Sequence, residues 1–147
     1  METDVNISER VKNSAHEFAL AGKGLIESVP ETILEDKKTR PVLEKLKKEH
    51  ESMNANLFLI AKVMEGEDKK NRSRRYIRRE HRRFKRLSRY IKKLEKLTSE
   101  KEGSDEVIQN LGRLRDINIY MDRLLTSSLL EDDETGYIEE AKKLEPL

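Results

Sequence analysis

Each of the three histidines in this sequence stands beside a glutamate, and arginines crowd around the last of them. His16 precedes Glu17, His50 lies between Glu49 and Glu51, and His81 follows Glu80. Imidazole next to carboxylate could serve a metal ion. Helical di-metal sites, however, need Glu three residues before His, one turn away on the same face. Asn13, Lys47 and Arg78 occupy that place here. The absence of cysteine removes thiolate metal sites, cysteine nucleophiles and disulfides. We expect no metal, no cofactor and no catalytic residue, and so a protein that is not an enzyme.

The arginines point to a different chemistry. Between Lys69 and Lys93 stand fourteen Lys or Arg residues and one acid, Glu80, a charge of +13 in 25 residues. The whole chain is only +2, so the other 122 residues carry −11. On a helical wheel of 100° per residue, Ile77, Phe84, Leu87, Ile91 and Leu94 share one side. Arg74, Arg75, Arg78, Arg79, Arg82, Lys85, Arg86, Arg89, Lys92 and Lys93 cover the other. Arginine outnumbers lysine between positions 72 and 89, which suits forked contacts to phosphate or carboxylate. Arg75, Arg78, Arg79, Arg82, Arg86 and Arg89 are therefore the candidate contacts to a nucleic-acid backbone, with low sequence specificity. Tyr76 and Tyr90 flank the face, as partial core or as stacking surfaces for unpaired bases. An acidic partner protein is the alternative ligand. The chain's own Glu131, Asp132, Asp133 and Glu134 are a third source of countercharge.

Arg75 and His81, with five residues between them, resemble the ribonuclease motif of HEPN domains. That likeness implies a third function, a helical ribonuclease using those two side chains. Tyr76 departs from it, standing where that family usually has a polar residue. The segment from Asn110 to Ile117, after a basic helix containing Tyr90 and Ile91, resembles the helical half of GINS replication-factor subunits. It covers about a third of the chain and lacks that family's small β domain. The charge-rich helical character is also similar to the small subunits of CRISPR effector complexes. These are analogies of architecture.

Four amphipathic stripes must hold these residues. Ile7, Val11, Ser14, Phe18, Ala21, Leu25 and Val29 alternate steps of four and three, as one helical face requires. Gly22 and Gly24 within it suggest close approach by a neighbouring helix. Beyond Pro30, residues Glu31 to Arg40 read as a polar connector with a short turn around Ile33 and Leu34. Thr39 and Pro41 mark the next helix start. Leu43, Leu46, His50, Met53, Leu57, Ile60 and Met64 form the cleanest heptad. Its phase slips by about one residue, roughly 100°, before Ile77, so a break is expected between Glu65 and Asp68. The basic helix follows, from about Asn71 to Thr98. After Gly103, with Ser104 or Asp105 as cap, comes Val107, Leu111, Leu114, Asn118, Met121, Leu125 and Ser128. Ile108, Ile119 and Leu130 line a second face of that last helix, a candidate contact for a partner or a second copy.

These stripes predict an all-α protein, an antiparallel bundle of about four long helices joined by short connectors. Residues 1–130 are expected to form the bundle domain, and 131–147 an acidic tail with a short helical pattern through Tyr137, Ile138, Ala141 and Leu144. Charged residues at 41%, against 35% hydrophobic, leave only narrow aliphatic stripes for a core. The start is polar, with both charge signs, and no apolar stretch reaches membrane-spanning length. A cytoplasmic protein without membrane contact is expected, as a homodimer or a subunit of a larger assembly. Nucleic-acid binding leads the functional readings, an adaptor docking onto an acidic protein comes second, and the ribonuclease third.

Overall fold

Where apolar side chains recur every three or four residues, the chain is helical. The computed structural model describes the backbone of residues 2–64 and 69–130 and the side chains of residues 9–62 and 75–127. Five helices occupy it: α1 (Glu2–Ser28), α2 (Glu31–Leu34), α3 (Thr39–Met64), α4 (Lys69–Thr98) and α5 (Asp105–Leu130). No strand occurs among the described residues. Helix α1 packs against α3 and α5, α4 packs against the same two, and short α2 lies on α3. The all-α expectation thus holds with four long helices. The acidic tail and the Glu65–Asp68 break lie outside the described residues. Yet α3 and α4 pack side by side, which one continuous rod through both could not do.

The predicted stripes are the buried faces, except that Ile7, Met64 and Ser128 have side chains outside the described residues. Val11, Phe18 and Leu25 of α1, Leu46, Met53 and Ile60 of α3, Phe84 and Ile91 of α4, and Leu111 and Met121 of α5 are essentially without solvent contact. Ile33 of α2 joins this core, so the connector is anchored at its one apolar turn.

Midway along, each long helix contributes one residue to a layer of rings and amides. Phe18 stacks on His50 with centroids 4.7 Å apart and meets Phe84 edge-on at 6.3 Å. His50 Nε2–H donates to Phe18 O at 2.8 Å, and Asn118 Nδ2 donates to Phe84 O at 3.0 Å. Asn54 Nδ2 reaches His50 Nδ1 at 3.3 Å, which fits a neutral ring carrying its proton on Nε2. Burial pushes the His50 pKa down, so the fold itself favours that uncharged form.

The ring fits only because residue 22 is glycine: a Cβ there would collide with the His50 imidazole. Gly22→Ala is expected to destabilise the fold by about 1–3 kcal/mol, despite the better helix propensity of alanine. Urea unfolding checks this, and the double variant G22A/H50A should recover part of the loss. Gly24, by contrast, has only an ordinary contact with Asn110 and needs no glycine for space.

The connectors are fixed by polar contacts. The Asp36 carboxylate accepts from both the backbone N–H (3.0 Å) and the hydroxyl (2.7 Å) of Thr39, at the start of α3. It also pairs with Lys101 at 3.0 Å, tying this connector to the one between α4 and α5. Hydrogen bonds from Thr39 first, with Lys101 behind them, hold the Asp36 pKa down at about 2. Gly103 turns the chain with φ at 75°, the left-handed region that glycine occupies without steric cost. Ser104 then precedes α5, its buried hydroxyl donating back to Lys101 O at 2.6 Å.

Candidate nucleic-acid interface

The orientation of α4 is set by residues that repeat without a gap: Ile77, Glu80, Phe84, Leu87, Ile91, Leu94 and Thr98 are all buried. With that stripe turned inward, the opposite side must face solvent. From Arg75 to Lys96, every exposed residue of α4 is a Lys or an Arg: Arg75, Arg78, Arg79, Arg82, Lys85, Arg86, Arg89, Lys92, Lys93 and Lys96. They fall within a sector of about 140°, and from Arg75 to Lys93 they cover about 27 Å of helix. Tyr76 and Tyr90 are half-buried and pack against the core at the margins of the face. No exposed apolar residue interrupts it; Leu20, Leu34, Phe58 and Leu59 lie on other helices.

Intramolecular countercharge reaches only part of this surface. Of the six candidate contacts, Arg75, Arg78, Arg79, Arg82 and Arg89 form no ion pair with a described carboxylate. Arg86 is the exception: its Nε stands 2.9 Å from Glu49 Oε1 of α3. The N–H is not directed at that oxygen, which has no hydrogen bond, so the attraction is one of charge. Arg83 lies half-buried beside the face and binds Glu80 Oε1 at 3.1 Å.

Glu80 is the residue that sequence reasoning passed over. It occupies a core position with 1% exposure, and its Oε2 has no hydrogen-bond partner. Burial pushes its pKa up to about 7, with Arg83 and Asn56 pulling the other way and nearby Glu49 adding to the rise. The gap between Ile77 and Phe84 was the available signal, because a seven-residue step in a helical stripe requires an inward residue between its ends.

At the α5 edge, His81 Nδ1–H donates to Asp122 Oδ1 at 2.7 Å, and Thr126 Oγ1 approaches the same oxygen at 3.4 Å. Burial raises the Asp122 pKa against the opposing pull of His81. Arg75 and His81 do not converge: they stand about 120° apart around α4 and about 9 Å apart along it. Farther along this seam, Arg115 binds Glu95 at 2.7 Å.

Ile108 and Ile119 are half-buried on α5, while the Leu130 side chain lies outside the described residues. His16 is exposed, and no group of three or more acidic or histidine side chains that could hold a metal occurs among the described residues. No described helix is long and apolar enough to cross a membrane. No family model, curated protein or solved structure matches the chain.

Proposed function

We propose that this chain is a non-enzymatic helical accessory protein that lays α4 along a nucleic-acid backbone. The observation carrying this reading is the unbroken cationic surface from Arg75 to Lys96, without a single exposed neutral, acidic or apolar residue. Neighbours three and four residues apart on it are like-charged, as in Arg75–Arg79, Arg78–Arg82 and Lys85–Arg89, and each such pair costs about 0.2–0.5 kcal/mol. A polyanion relieves that repulsion. The face approaches the length of one duplex turn, about 34 Å, so several phosphates can be met together.

An acidic partner protein fits less well, because protein interfaces need an apolar or aromatic centre and this face has none. In our reading Ile108 and Ile119 serve instead as contacts to a second copy or another subunit. We also infer an antiparallel arrangement. Along α5, Asn118 meets Phe84 and Asp122 meets His81; along α3, Glu49 meets Arg86 and Asn56 meets Glu80. Partner numbers fall as residue numbers rise in both pairs of helices.

Phosphate contacts carry no base information, so duplexes of unrelated sequence are expected to bind with similar affinity at low salt, and so are single strands of unrelated sequence. Filter binding with both probes tests this. Retention of neither at about 50 mM salt removes the reading.

A further inference from the structure

The contacts between α4 and α5 fix where the acidic end of the chain begins. From Asn118 opposite Phe84, α5 advances to Asp122 opposite His81. Eight more residues bring it to Leu130, about 12 Å farther on, level with the turn of α4 that carries Arg75. Four consecutive acids follow at once, Glu131, Asp132, Asp133 and Glu134, and residues 131–147 together carry −5. Four extended residues span about 13 Å, more than the 8–10 Å between packed helices. The acids therefore start beside the end of the basic face that carries Arg75, Arg78 and Arg82, with Arg78 nearest the α5 side, about 60° around α4 from His81; none of the three pairs with a described carboxylate.

We propose that residues 131–134 dock on this end of the basic face and compete with nucleic acid for it, an internal phosphate mimic. The proposal rests on the nucleic-acid reading for its consequence but not for the contact itself. Carboxylates accept forked arginine hydrogen bonds much as phosphates do. Being tethered, the segment acts at a high effective concentration whatever the protein concentration. The remaining cations, from Lys85 to Lys96, stay open, so the segment weakens polyanion binding without abolishing it.

The test compares the full chain with the full-length variant E131Q/D132N/D133N/E134Q, which keeps length and shape. A fluorescein-labelled oligonucleotide is expected to bind the variant about tenfold more tightly at low salt, the gap narrowing as salt screens the competing contact. Carbodiimide treatment of the unmodified chain, read by peptide mass spectrometry, is expected to join residues 131–134 to a lysine of α4 within one chain. Equal oligonucleotide affinities for the two proteins overturn the competition. Crosslinks that are absent, or found only between two chains, overturn intramolecular docking. Intramolecular crosslinks with no oligonucleotide binding by either protein would instead remove the nucleic-acid reading and the competition with it, leaving the contact.

Discussion

Replacing Arg75, Arg78, Arg79 and Arg82 together by glutamate is expected to reduce oligonucleotide affinity at least a hundredfold at about 50 mM salt, with no loss of fold. All four are exposed and none lies on the buried stripe, so the core is untouched. The thermal midpoint should change little: the like-charged pairs within the quartet only reverse sign, while position 82 gains opposite charges at Lys85 and Arg86 and position 79 gains one at Arg83. Circular dichroism and electrophoretic mobility shift measure the two sides of this statement. Retained affinity in a folded variant would mean that the polyanion is held elsewhere.

The second large effect is on stability and its pH dependence. In the fold the Glu80 carboxyl holds its proton up to about 7, whereas the unfolded chain releases it near 4.5. Below 4.5 both states are protonated, and the group's favourable contribution is fully present. As pH rises from 4.5 to 7 only the unfolded state ionises, so stability falls with pH by about 3 kcal/mol in total. Glu80→Gln keeps an oxygen for Arg83 and removes the ionisation. The variant is expected to match the parent near pH 4.5 and to exceed it by about 3 kcal/mol near pH 8. Urea unfolding at the two pH values checks the sign; parallel pH profiles would contradict it. His50 works in the opposite direction. With its folded pKa lowered, stability is present above the ordinary histidine value of 6.5 and declines as pH falls below it.

The helices and their inward faces were legible because burial imposes a spacing that any sequence must obey. The stripe from Leu43 to Ile60 is buried as read, and so is that from Val107 to Leu125. The cationic surface followed from the same rule, since Ile77, Phe84, Leu87 and Ile91 leave the arginines only the outward side. His50 was placed on a core stripe and is hydrogen-bonded there. What spacing along one helix does not carry is which side chain on another helix it meets. Nothing local marks Glu49 as the countercharge of Arg86, Asp122 as the partner of His81, or His50 as the ring that demands glycine at position 22. Glu80 was missed for a chemical reason: an acid at a core position is rare, and only its place in the Ile77–Phe84 gap gives it away.

The reading of α4 as a backbone-binding surface is tested most directly by the salt dependence of oligonucleotide affinity. If about six phosphates are neutralised, log affinity should fall linearly with log salt, with a slope near −5 on duplex and near −4 on single strand. Binding that is absent at low salt, or that barely changes with salt, would contradict it.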